Sequence, residues 1–328
     1  MRLPMERPHH PPSLLLGALA CAADLVARRR RSTLPRAGAS QIPTIAVHGL
    51  ALGGACKTPA CLWLAERLAR LTGGRVAVGT RPRSVVADEI ELYRRRLPGA
   101  PVFPEKHPLR AIERAAAAGC RAVVLDDPSL TSAAPAHLRL VCLGPDDDWK
   151  QPVFPAGPRR PGAVRPDEAD HLLLFDRAMP PHGVAGSAGR ARVEVAGFLP
   201  LEEWSRGVPR AAAAGAPTPA FVLCAVARPE RVVRAVEGAG CRVVGTTFRR
   251  DHAPLPPALL VRTARLAREA GARWIVVTEK DAARMGASPG PVAGADPAWM
   301  VVRVELRVEG GEELLERFLR SAGRPGGP

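Results

Sequence analysis

Two hydrophobic rhythms alternate along the first half of the chain. Unbroken apolar runs, "IPTIAVHG" (42–49), "RVAVGT" (75–80), "CRAVVLDD" (120–127) and "LRLVCLG" (138–144), read as strands buried on both faces. Between them apolar residues return every three or four positions. That spacing predicts amphipathic helices in "PACLWLAERLARLTG" (59–73), "VVADEIELYRRRL" (85–97) and "HPLRAIERAAAAG" (107–119), the first and last stopping at glycine. Strands of this kind alternating with helices imply a parallel sheet covered on both sides.

A Pro/Gly-rich passage from Pro145 to Pro166, "PDDDWKQPVFPAGPRRPGAVRP", interrupts the rhythm and reads as a linker. A second α/β series follows. Strands are expected at "HLLLFD" (171–176), "ARVEVAGF" (191–198), "AFVLCAVA" (220–227), "CRVVGTTF" (241–248) and "ARWIVVTEKD" (272–281), with helices at 229–240 and 258–271. "GSAGRA" (186–191) and "PRAAAAGAPTP" (209–219) read as surface loops, and "TEKDAARM" (278–285) as a polar strand-to-helix turn. A strand at 299–306 and a helix at 312–323 close the chain. The expected fold is α/β: a parallel-sheet core domain of the P-loop NTPase type with a smaller second α/β domain. The divisions fall at 1–36, 37–150, 151–166 (linker), 167–298 and 299–328, the last returning to the core.

The amino-terminal stretch "PPSLLLGALACAADLVARRRRS" is apolar from Leu14 to Ala27 and then strongly basic. It is too short to span a bilayer, which takes about 20 apolar residues. Export is a poor reading, because Arg28 to Arg31 follow the apolar run directly. A helix lying on an acidic inner leaflet and a helix packed on the protein itself both fit the pattern.

Composition sharpens this picture in three ways. The formal charge of +15 points to anionic partners, while one Tyr and seven Phe leave few platforms for stacked bases, so nucleic acid is not expected. Only four of the 47 basic residues are lysine (Lys57, Lys106, Lys150 and Lys280), so a position that keeps Lys needs a slim ammonium. The seven cysteines form no CxxC pair. They predict reduced structural thiols in a cytosolic setting rather than a zinc site.

Candidate chemistry gathers where strands end. In "IAVHGLALGGACKTP" a strand, a glycine pair, Lys57-Thr58 and a helix occur in the order of a phosphate-binding loop. Gly53, Gly54, Ala55, Cys56, Lys57 and Thr58 are the candidate nucleotide residues, although Ala51 and Cys56 stand where the strict pattern has glycine. Asp126-Asp127 end a strand where a magnesium-holding carboxylate belongs, with Thr58 as its companion ligand. A turn-forming "DDPS" loop also accounts for them. Asp88-Glu89 open a helix, where dipole capping is an alternative. Asp251-His252 follow another strand.

In that order these segments resemble the tetraacyldisaccharide 4'-kinases (lipid A 4'-kinases) along nearly the whole chain. "VHGLALGGACKTP" is similar to that family's "VGNLTxGGTGKTP", which also lacks the first glycine. Ala87 to Ile90 is similar to "GDEP", Asp126 to Thr131 to "DDGLQH", "FPAGPRRPG" to "LPAGPLREP", "AVARPERV" to "GIGNPERF", "FRRDHA" to "FPDHH" and "VTEKDAARM" to "VTEKDAVK". The chain departs from the family at Cys56, at "GTRPRSV" for "SRGYG", and at Leu130-Thr131 for Gln-His. The resemblance implies ATP and Mg²⁺ as cofactors and an acylated disaccharide 1-phosphate as acceptor. It also implies work at the cytoplasmic face of the bacterial inner membrane, Asp88 as the base and His252 as its helper. The departures keep a second expectation open, a relative that binds nucleotide or lipid without turnover.

Overall fold

The structure is a computed structural model that describes residues 14–32, 42–51, 53–54, 56–82, 87–128, 136–180, 187–207, 217–285 and 296–322. Ala55, Val85-Val86, Ser129 to Thr131 and most of the loop at 209–219 lie outside the described residues. In chain order the elements are helix α1 (Leu14–Ser32), β1 (Thr44–Gly49), α2 (Lys57–Thr72), β2 (Val76–Thr80), α3 (Ala87–Arg96), β3 (Val102–Pro104), α4 (Pro108–Ala117), β4 (Ala122–Asp126) and β5 (Leu138–Leu143). Then come β6 (His171–Phe175), β7 (Ser187–Pro200), α5 (Leu201–Ser205), β8 (Thr218–Cys224), α6 (Pro229–Gly238), β9 (Cys241–Phe248), α7 (Pro257–Glu269), β10 (Trp274–Thr278), α8 (Glu279–Met285), β11 (Ala298–Val308) and α9 (Gly311–Ala322).

The eleven strands of the described residues join one sheet, in the order β3-β2-β4-β1-β5-β6-β7-β11-β10-β8-β9. Seven strands from β3 to β7 run parallel, as do the four from β11 to β9, and the two blocks meet at the antiparallel pair β7–β11. The sheet runs unbroken through the expected domain division, because β6 pairs directly with β5.

The register at the seam places the functional cleft. β6 lies beside the first part of β7, Phe175 opposite Ala191. β11 lies along the rest, Val302 opposite Phe198 and Val308 opposite Ala191, while β10 reaches Thr278 opposite Val302. The carboxyl ends of the two blocks therefore point at the middle of the β7–β11 ribbon from opposite directions. Loops leaving those ends face each other, as expected for ligand sites at the carboxyl ends of parallel strands.

Each block is packed on both faces. On one face of the first, α2, α3 and α9 cover β1, β4 and β5 through Leu64, Leu68, Tyr93, Leu315 and Phe318, while α4 covers the other through Ala111, Ile112 and Ala115. In the second, α5, α7 and α8 pack on one side and α6 on the other.

Several expectations need correction. The segment read as the loop "GSAGRA" supplies Ser187 to Ala191 to β7, because the edge of β6 is free to pair with it. Gly189 suits that place: a Cβ there would come within 3.1 Å of His171 Nε2. The strand expected at 272–281 ends at Thr278, where "TEKDAARM" passes directly from β10 into the helix α8. The short β3 and α5 carry no periodicity long enough to read. The passage read as a linker is a packed strap: Val153, Ala163 and Val164 are buried, and Arg160 donates its backbone N–H to the Leu50 carbonyl.

Helix α1 packs in part on the protein itself. Ala20 is buried, Asp24 Oδ1 accepts the Gly162 N–H at 2.8 Å, and Ala27 packs on Gly162. Leu15, Leu19, Leu25 and Val26 stay exposed. Among the described residues no helix is long and apolar enough to cross a membrane.

Candidate active site

β1 ends at Gly49 and the chain turns through Gly53 and Gly54 into α2. Both glycines have positive φ, 81° and 69°. A Cβ at Gly53 would sit 2.8 Å from the Ala227 Cβ, so glycine is required by the close approach of the second block. Cys56, at the cap of α2, also adopts the left-handed region, with φ 52° and ψ 24°. This is the conformation for which phosphate loops use glycine, and here an L residue bears its strain. Asp127, Asp176 and His252 share it, with φ 49°, 56° and 57°. All four line one cleft of about 1220 Å³ between the blocks, where strained non-glycine backbone tends to concentrate in functional sites.

The structure brings Gly53, Gly54, Cys56, Lys57, Thr58, Asp126, Asp127 and His252 together in that cleft, with Asp88 buried behind His252. Lys57 Nζ lies 3.7 Å from Asp127 Oδ2, which also pairs with Arg160 of the strap. Thr58 Oγ1 donates to Glu89 Oε1 at 3.4 Å. Asp126 sits behind Asp127 with its Oδ2 accepting the hydroxyl of fully buried Tyr93 at 2.7 Å. Burial and the nearby Glu89 carboxylate push the Asp126 carboxyl up to about 6, against the pull of Lys57. Burial also acts on Asp127, but Lys57 and Arg160 outweigh it and hold that carboxyl below its usual range.

The second cluster spans the cleft. Asp88, at the start of α3, is buried, and its Oδ2 meets His252 Nδ1 at 3.1 Å and Arg284 Nε at 3.0 Å. Its Oδ1 accepts the backbone N–H of Glu89. Burial raises the Asp88 carboxyl, but the His252 hydrogen bond and the Arg284 and Lys280 charges lower it further, so it is ionised at neutral pH. His252 is pushed up, chiefly by its hydrogen bond to Asp88.

Mg²⁺ takes hard oxygen ligands and keeps several waters, so two carboxylates and a hydroxyl beside phosphates suffice. The donor set fits: Asp126 Oδ1 and Asp127 Oδ1 are both buried without a hydrogen-bond partner in the structure, and each is an open acceptor at the end of β4. Among the described residues no group of three or more His, Cys, Asp or Glu is placed to hold a metal by itself.

Sequence reasoning missed a layer of partners. Arg160 neutralises Asp127, Tyr93 supports Asp126, and α8 contributes three ion pairs to α3: Lys280–Glu89 at 2.5 Å, Arg284–Asp88 at 3.0 Å and Glu279–Arg96 at 2.8 Å. Lys280 had a visible signal, being one of four lysines in an arginine-rich chain. Arg160, Arg284 and Arg96 are arginines among many, and only the fold distinguishes them.

Strand, glycine turn, Lys-Thr helix start and paired aspartates at the neighbouring strand end define a class, the P-loop phosphotransferases. The comparisons place the chain within it. A family model for tetraacyldisaccharide-1-P 4'-kinase matches residues 12–323. The tetraacyldisaccharide 4'-kinase of Anaeromyxobacter dehalogenans is 33% identical over 92% of this chain and 86% of its own length. That of Methylobacterium radiotolerans is 30% identical over 97% of each. The LpxK of Aquifex aeolicus, solved in complex with ATP, shares the fold with a TM-score of 0.65 at 18% identity, over 93% of this chain and 97% of that one. The chain belongs to the tetraacyldisaccharide-1-P 4'-kinase family.

Proposed function

We propose that this protein transfers the γ-phosphoryl group of ATP to the 4'-hydroxyl of a tetraacyldisaccharide 1-phosphate, a lipid A precursor. One observation carries the reading: a phosphate loop with its paired aspartates lines the same cleft as His252, whose Nδ1 bonds the buried Asp88 just behind it. Backbone N–H groups of the turn at Gly53 and Gly54 and the start of α2 cradle the triphosphate, and Lys57 reaches the β- and γ-phosphates. A magnesium ion held by Thr58, Asp126 and Asp127 would supply charge neutralisation for those phosphates.

Asp88, ionised and oriented by His252 and Arg284, accepts the proton of the 4'-hydroxyl. The new bond joins the 4'-oxygen to the γ-phosphorus as the bond from that phosphorus to the β–γ bridging oxygen breaks, and ADP leaves with the electron pair. Having phosphate loop and helper histidine on opposite blocks means closure of the cleft assembles the site and excludes water.

The exposed apolar side of α1, with Arg28 and Arg29 at its end, supports docking on an anionic membrane surface, the cytoplasmic face of the inner membrane in a lipid A producer. The test is turnover by the purified chain with ATP and tetraacyldisaccharide 1-phosphate in mixed micelles. Wild type should form the 4'-phosphorylated product, and Lys57→Ala and Asp88→Ala should each lose about 10²-fold or more in kcat. Equal residual rates in all three proteins would overturn the kinase reading. Failure of the chain to float with anionic vesicles would overturn the membrane one.

A further inference from the structure

The phosphate loop is held from the second block as well as from its own strand. Arg231, on α6, reaches across the cleft so that Nη1 donates to the Gly54 carbonyl at 3.1 Å and touches Cys56 Sγ at 3.6 Å. Burial keeps the Cys56 thiol raised and therefore neutral, a soft acceptor beside the guanidinium. Arg231 Nη2 is buried without a hydrogen bond; Asp146 Oδ2, at 3.8 Å and largely exposed, is too distant to satisfy it. One turn earlier Arg228 lies against Gly54, where a Cβ would come within 2.9 Å of its Cγ. Arg228 is itself locked by Asp146 and by the buried side chain of Asp147, which also takes the Gly144 N–H at the end of β5.

We propose that Arg231 is a positioning residue, an external clamp that fixes the left-handed backbone at Gly54 and at Cys56 and so sets nucleotide affinity from the opposite block. A phosphate loop points its N–H groups inward at the phosphates, which leaves its carbonyls outward and in need of partners. Gly54 finds that partner on α6. The cysteine side chain adds a second handle that glycine cannot provide. The consequence is that the nucleotide pocket is complete only while α6 lies against the loop, and ATP binding favours the closed cleft by the same contacts.

The inference rests on the nucleotide reading of the loop, and the experiment separates the two. Binding of the non-hydrolysable analogue AMP-PNP is measured for wild type, Arg231→Ala and Arg231→Lys, alongside kcat, both KM values and thermal midpoints. Wild type should bind, and Arg231→Ala should weaken binding and raise KM for ATP roughly tenfold, as expected for losing a charged hydrogen bond. Its kcat at saturating ATP should stay within about threefold and KM for the lipid acceptor should not move. Arg231→Lys, which keeps the charge and one donor, should recover part of the loss, and it serves as the folded comparison if the alanine variant melts early. No nucleotide binding by wild type would overturn the site reading itself. Binding by wild type with Arg231→Ala within twofold of it, or an equal rise in the acceptor KM, would overturn the clamp alone.

Discussion

Replacing Cys56 by glycine tests the backbone argument directly. Cys56 is held at φ 52°, and the left-handed region costs an L residue about 1–2 kcal/mol. Glycine removes that cost but gives back roughly 0.5–1 kcal/mol through the greater freedom of the unfolded chain. Loss of the weak Sγ contact to Arg231 at 3.6 Å is a smaller debit. Cys56→Gly should therefore be as stable as wild type or more stable by up to about 1 kcal/mol. Cys56→Ala keeps the strain and loses the sulfur, so it should fall about 1 kcal/mol below the glycine variant. Urea unfolding of the three proteins measures this. AMP-PNP affinity should be unchanged or up to about fivefold tighter in Cys56→Gly, the equivalent of ~1 kcal/mol released in the loop. Tenfold weaker binding, or a glycine variant less stable than the alanine one, would refute the account.

Two further outcomes follow from the cleft. In His252→Asn, Asp88 loses its main lowering partner, so its carboxyl rises and the acid limb of kcat against pH should move to higher pH. The Asp88 share of stability is present above the ordinary carboxylate range and is lost as pH falls through its lowered value. The His252 share is present below the ordinary imidazole range and is lost as pH rises through its raised one. The thermal midpoint difference between wild type and variant should thus be largest between those limits; a limb moving to lower pH contradicts the pairing. Second, Glu279→Gln leaves the Arg96 guanidinium buried without its carboxylate, both side chains being only 6% exposed, and should cost about 3–5 kcal/mol in urea unfolding. Arg96→Met with Glu279→Leu should recover most of it, and no recovery would mean the pair is more than a matched burial.

The strands of both blocks and most of the helices were legible because their burial is encoded locally. β1, β2 and β4 are buried at every position, so they read as continuous apolar runs, and α2 repeats its apolar face every three or four residues. β7 was only half legible, since its opening, "SAGRA", is small and polar and becomes a strand only by pairing with β6. In the same way Asp88 and His252 were visible as single residues at a helix start and after a strand. Nothing in their separation of 164 positions encodes a 3.1 Å contact.

The sequence by itself determined the periodicities, the glycine turn before Lys57, the aspartates at the end of β4 and the scarcity of lysine. These follow from the residue types and their neighbours, because strand, helix and turn preferences act over a few positions. Only the tertiary structure decided that the two parallel blocks share one sheet with opposed carboxyl ends. It also decided that the strap delivers Arg160 to Asp127 and that α6 and α8 reach the loop and Asp88. Those contacts join residues far apart in the chain, and their energy depends on burial and charge that exist only once the blocks have closed on each other.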